Sequence, residues 1–135
     1  MRRRARRLLR LGRAARHLAA ARVLLPDVPY QVTNAQWSAD GKAILYTAVD
    51  GMVRGYQAKR HVLGAPAAND QVLLQEDDTT FEIGVTQSRS KQLAIITVGH
   101  AQRDEIWAVS TAAIDPKPVL LVPRSLNVRA TADHI

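Results

Sequence analysis

Beyond Gln31 the chain alternates short runs rich in β-branched, aliphatic and aromatic residues with clusters of Gly, Asp, Asn, Ser and Pro. Eight such runs are expected strands: Val32–Trp37, Lys42–Val49, Tyr56–Leu63, Gln71–Glu76, Phe81–Gln87, Gln92–Val98, Glu105–Ser110 and Val119–Val122. The breaks carry turn chemistry. Ser38-Ala39-Asp40-Gly41 and Asp50-Gly51 each close a run, because glycine accepts positive φ and an aspartate oxygen bonds nearby backbone N–H groups. Short strands with turn signals this frequent predict an all-β sandwich, barrel or propeller. Ahead of them the pattern becomes helical. Leu8, Leu11, Ala15 and Leu18 recur at i, i+3, i+7 and i+10, Arg6, Arg10 and Arg13 fall on another stripe, and Pro26 would end that helix.

Internal similarity narrows the architecture. Ala43-Ile44-Leu45-Tyr46-Thr47 aligns with Leu93-Ala94-Ile95-Ile96-Thr97 at an offset of 50 residues, and Ser38–Gly41 meets Ser88–Lys91 at the same offset. Val72-Leu73-Leu74 recurs as Val119-Leu120-Leu121 at an offset of 47. A four-strand unit of this period falls near the roughly 40–50 residues of propeller blades. An eight-strand sandwich with chance similarity is the competing expectation.

The formal charge of +7 changes the picture only at one end. Met1–Arg22 holds nine arginines (Arg2, Arg3, Arg4, Arg6, Arg7, Arg10, Arg13, Arg16 and Arg22) and no acid. The remainder has ten Lys+Arg against twelve acids, a net charge of −2. The head is therefore a segment apart, expected over 1–23 as a helix or as disorder. It fits a nucleic-acid arm, whose affinity would be salt-dependent, an anionic-surface helix, or an organelle transit peptide. A solvated tail, or Arg/Ala/Leu/Gly sequence read out of frame from GC-rich DNA, accounts for the same composition. Arg10, Arg13 and Arg16 break any apolar core of a secretory signal, and the expected location is cytoplasmic. There is no cysteine, which excludes disulfides and thiolate metal sites. No run approaches the ~18 uninterrupted apolar residues of a spanning helix.

Trp37-Ser38-Ala39-Asp40-Gly41-Lys42 followed by Ile44-Leu45-Tyr46-Thr47 resembles a blade opening in the N-terminal propeller of prolyl oligopeptidase family serine peptidases. Arg54-Gly55-Tyr56-Gln57, Lys59–Gly64, Glu76–Phe81, Gly84-Val85 and Ser88-Arg89-Ser90 follow in order. That order is similar to oligopeptidase B (protease II), the branch cleaving after Lys or Arg. The resemblance runs from about Leu24 to Asn127 and implies a partial propeller over 24–135. Its blades would occupy about 30–76 and 80–123, and another would start over 126–135. Its abrupt start near Val23–Pro26 fits a shifted frame or a truncated start.

The family implies a Ser-Asp-His triad on a separate α/β-hydrolase domain, with the serine in a G-x-S-x-G elbow. Here Ser38, Ser88, Ser90, Ser110 and Ser125 lack that setting, and His17, His61, His100 and His134 are scattered. No catalytic, cofactor-binding or metal-binding residue is therefore assigned, no cofactor is expected, and catalysis by this chain alone is not expected. His61 is open as a channel-facing residue or a plain strand residue. Glu76-Asp77-Asp78 is open as a cation or basic-peptide site or a solvated turn. Trp37 and Trp107 are expected to pack between blades.

The expected function follows from the resemblance: a non-catalytic propeller fragment, acting as lid and substrate gate, of an oligopeptidase B-like endopeptidase for short peptides. A separately encoded hydrolase half, or the remaining propeller, is the expected partner, with peptide substrates taken only by the full enzyme. The alternative is a small β binding module with a basic arm for nucleic acid or anionic surfaces, although nucleic acid is not the expected partner. Repeat folds generally need about three units to cover their faces. Two blades alone are thus expected to be marginal, with Ile44, Tyr46, Ile95 and Trp107 on exposed apolar faces.

Overall fold

The computed structural model describes residues 31–135; the expectations for the Arg-rich head fall outside the described residues. Strands β1 (Val32–Trp37), β2 (Ala43–Val49), β3 (Gly55–Val62) and β4 (Gln71–Gln75) form one antiparallel sheet in the order β1-β2-β3-β4. Strands β5 (Glu82–Gln87), β6 (Leu93–Gly99), β7 (Asp104–Ser110) and β8 (Val119–Val122) form a second, in the order β5-β6-β7-β8. Short 3-10 turns at Ala67–Asn69 and Arg124–Leu126 complete the regular structure. Each strand pairs with its sequence neighbour, so local turn chemistry suffices to set the topology. All eight expected runs become strands, their ends displaced by no more than one residue.

The 50-residue repeat is a repeat of turn mechanics. Ser38 Oγ accepts the Ala43 N–H at 2.9 Å, and Ser88 Oγ accepts the Leu93 N–H at 3.2 Å. Gly41 and Lys91 both take left-handed backbone, at φ 70° and 63°, and each donates its N–H to the opening serine carbonyl at 3.0 Å. Glycine adopts this conformation without strain, whereas Lys91 carries it at a cost. Only the first copy reads as a hairpin signal, although both do the same work.

The apolar core lies between the sheets. Leu45, Ala58 and Leu73 of the first face Ile83, Val85, Ala94, Ile96, Val98 and Val109 of the second, with Phe81 from the connection, and Leu74 and Trp107 pack against this cluster. Trp107 thus sits between the sheets as expected. Residues of β2 and β6 are buried on both faces, which is why their sequences run nearly continuously apolar rather than alternating. Burying each large aliphatic or aromatic side chain contributes roughly 1.5–3 kcal/mol.

One expectation is corrected here. Tyr46 and Ile95 are not on exposed faces: they are 3% and 4% accessible, and Ile44 and Trp107 are half-buried. Ile95, Ile106 and Ala108 are covered by Ala130 and Ala132. The segment after the second 3-10 turn runs back over that sheet, where the Asp104 N–H bonds the Val128 carbonyl and the Ser90 N–H bonds the His134 carbonyl. Tyr46 is drawn inward by a 2.6 Å hydrogen bond from its hydroxyl to Asp70. The exposed apolar residues lie elsewhere, in part on the outer strand β8 at Val119, Leu120 and Leu121.

Candidate functional site

Strands β1 and β5 are the first strands of their sheets, and among the described residues each has a hydrogen-bonded neighbour on one side only. Their free edges border a cleft of about 600 Å³, whose wall includes Thr33, Asn34, Glu82, Gly84, Thr97 and Arg129. The wall is mostly hydroxyl, amide and backbone. Asn34 sits at an irregularity in the β1–β2 register with φ 49°, and a Cβ built on Gly84 would meet only the Asn34 amide nitrogen, at 4.0 Å. The bulge thus aims Asn34 across the cleft toward β5.

Two arginines, Arg54 in the wall and Arg124 behind Phe81, tie the elements around this region together. Arg54 pairs with Asp50 at 3.0 Å and donates to the Glu76 and Phe81 carbonyls at 3.2 and 2.9 Å. It therefore ties the β4–β5 connection to the β2–β3 turn. Arg124 donates to Glu105 at 2.7 Å and to Glu76, while its guanidinium lies 4.3 Å from the Phe81 ring centroid. These hydrogen bonds, from Glu105 foremost and then Glu76, raise the Arg124 guanidinium above its ordinary pKa. For Glu105, partial burial works to raise its carboxyl, but hydrogen bonds from Arg124 and Trp107 outweigh it and hold the group below the usual carboxylate range.

The acid cluster is therefore not a solvated turn throughout. Glu76 is buried and bound to Arg124, while Asp78 is an exposed turn acid accepting the Thr80 N–H and hydroxyl, and Asp77 accepts from Gln75. Local charge density could not separate Glu76 from its neighbours, because its partner lies 48 residues away.

His61 resolves as a strand residue. It lies on β3, 1% accessible, with Nδ1 2.6 Å from Asp70, whose other oxygen accepts the Tyr46 hydroxyl. Burial first, and the Asp70 carboxylate second, push the Tyr46 phenol far above its ordinary pKa. The His61 Nε2 is buried and has no hydrogen-bond partner among the described residues.

Among the serines, Ser90 Oγ lies 2.8 Å from His134 Nδ1. That is the distance a serine–histidine couple needs, but the setting lacks the rest. Ser90 Oγ also accepts the Gln92 N–H and contacts Ser88, and Asp133 is occupied by Arg89 rather than orienting the imidazole. A nucleophile needs a base held by a third group. Among the described residues no group of three or more His, Cys, Asp or Glu is disposed to hold a metal ion.

The family described as prolyl oligopeptidase, N-terminal beta-propeller domain, matches residues 21–135. The chain belongs to this family. Dipeptidyl aminopeptidase BI from Pseudoxanthomonas mexicana is 34% identical over 117 residues, 83% of this chain and 16% of that protein. Protease 2 from Moraxella lacunata is 30% identical over 87 residues, 64% of this chain and 12% of that protein. The chain thus spans less than a fifth of either relative's length. Among solved structures, oligopeptidase B from Trypanosoma brucei with covalently bound antipain superposes with a TM-score of 0.63 at 22% identity, over 67% of this chain and 13% of that one. Prolyl oligopeptidase B from Galerina marginata superposes with a TM-score of 0.56 at 16% identity, over 84% of this chain and 17% of that one. The two sheets are accordingly consecutive propeller blades.

Proposed function

We propose that this chain is part of the non-catalytic lid of an oligopeptidase B-like serine peptidase, which restricts a separate hydrolase domain to short peptides cut after Lys or Arg. The observation that supports this most is the cleft between β1 and β5, where two free strand edges and a polar wall line an opening rather than a packed seam. A lid of this kind works by exclusion: an extended, flexible peptide passes a channel that a folded chain cannot. The Arg54 hydrogen bonds to the β4–β5 connection and the Arg124 ion pairs with Glu76 and Glu105 stiffen the seam between blades, so the opening keeps its width.

The test is reconstitution. The chain, joined to the remaining propeller and the hydrolase domain of an oligopeptidase B-like peptidase, is assayed with a short chromogenic peptide ending in Arg and with a long folded polypeptide carrying the same site. Cleavage of the short peptide alone is expected, with the long chain becoming a substrate once the propeller is removed. Cleavage of both by the complete assembly refutes the gating role. The relative named dipeptidyl aminopeptidase makes a second outcome informative: release of N-terminal dipeptides, without cleavage after Lys or Arg, refutes the specificity and leaves the lid intact.

A further inference from the structure

The described residues contain eleven carboxylates, and ten of them have a hydrogen-bond or ion-pair partner. Asp50, Asp70, Glu76, Asp104, Glu105, Asp115 and Asp133 are paired with cationic side chains or histidine. Asp40, Asp77 and Asp78 are held by turn residues. Glu82 is the remaining one: its side chain makes no hydrogen bond or ion pair among the described residues, and it stands in the wall of the β1/β5 cleft. The other charges there are spent. Arg54 is bound to Asp50 and three carbonyls. Arg129 is bound to Asp104 at 3.1 Å and to the His100 and Ala101 carbonyls. Among the described residues the cleft therefore presents one carboxylate without a partner, and no cation without one.

We infer that this cleft is a binding site for the cationic side chain of an extended peptide, with the Glu82 carboxylate as its acceptor. Three features fit that ligand class. A carboxylate with free lone pairs accepts a guanidinium or ammonium by charge-assisted hydrogen bonds. The strand edges beside it carry unpaired N–H and C=O groups that an extended backbone can match by adding a strand. Gly84, next but one to Glu82 on the same strand, carries no side chain at the edge, and the Asn34 amide across the cleft stands 4.0 Å from where its Cβ would be. That the cation belongs to a peptide rests on the lid function proposed above; the preference for a cation rests on Glu82 alone.

Acetyl-Ala-Arg-Ala-amide, titrated into the full 135-residue chain and followed by amide chemical shifts, provides the test, with the norleucine peptide of equal length as comparison. The arginine peptide should bind, with shifts at Asn34, Glu82 and Gly84, and should bind at least about fivefold more tightly than the norleucine peptide, the size of one partly solvated charge pair. Glu82→Gln should erase that preference while leaving the urea unfolding midpoint unchanged, since Glu82 holds nothing in the fold. Asp77→Asn should preserve it. Equal binding of the two peptides, an unchanged preference in Glu82→Gln, or no binding of either at about 10 mM each overturns the inference. None of these readouts requires peptidase activity. A lid that fails reconstitution while the arginine peptide still binds removes the lid function alone.

Discussion

A methyl group at Gly55 tests how the two blades meet. An ideal Cβ there would lie 2.1 Å from the Ile83 carbonyl oxygen, 2.8 Å from Thr47 Cγ2 and 3.2 Å from the Ile83 carbonyl carbon. Ordinary contact begins near 3.4 Å, so β3 and β5 must separate by more than an ångström, and the nearest obstacle is backbone that no rotamer change can move. Thr47 is fully buried. Inserting one methyl into packed interior costs typically 1–3 kcal/mol. Opening the seam also thins the contacts of Leu45, Ile83, Val85 and Ile96, at a quarter to a half of the dispersion well for a gap of roughly 0.5–1 Å. Gly55→Ala should therefore destabilise the chain by about 3 kcal/mol. With a urea slope of about 1.5 kcal/mol per molar, the midpoint falls by about 2 M. Fluorescence of Trp107, which packs on the interblade cluster, reports the transition. Gly51→Ala is the control, because a Cβ there meets nothing within 4 Å, and it should stay within about 0.5 kcal/mol of the parent. A Gly55→Ala chain whose midpoint matches that of Gly51→Ala would refute the close approach of the two blades.

Other substitutions address the remaining devices. Arg124→Ala leaves Glu76 and Glu105, 11% and 12% accessible, without their cation. Arg124 is itself one-third exposed, so the 3–5 kcal/mol of a buried pair is screened to about 2 kcal/mol, measured by urea unfolding; Arg124→Lys should recover less than half of it, and full recovery would show that the fork geometry is irrelevant. Val53 is exposed and holds φ 60°, a conformation costly for a β-branched residue. Val53→Asn should raise stability by about 1 kcal/mol, and a loss in thermal midpoint would count against strain at this turn. The raised Tyr46 phenol carries a pH signature. Its folded pKa lies above the unfolded one, so its contribution is complete below about pH 10 and is lost as pH rises toward the folded value. Ultraviolet titration should show one of the three tyrosines resisting ionisation until the chain unfolds, and Tyr46→Phe should abolish that step; a resistant phenol that survives the substitution would be another residue.

Which features were legible in the amino-acid order follows from how a blade is built. Each strand pairs with the next along the chain, so apolar runs and turn residues such as Asp40-Gly41 and Asp50-Gly51 carry enough information to locate all eight strands. The 50-residue repeat is strongest in β2 and β6 because both are buried on two faces and select the same kind of residue. Turn function survives identity change, however, and the Ser88–Lys91 turn copies Ser38–Gly41 without the glycine that would have announced it. Tertiary packing alone decided the rest. Whether Glu76 is solvated depends on Arg124, 48 residues away, and whether Glu82 is free depends on every nearby cation being engaged elsewhere. Whether Ile95 is exposed depends on the chain returning over it at Ala130 and Ala132. Strand formation is settled by neighbours in sequence, which composition and spacing record. Charge pairing, close approach and burial are settled by neighbours in space, and the blade-on-blade contact that creates them leaves no period in the chain.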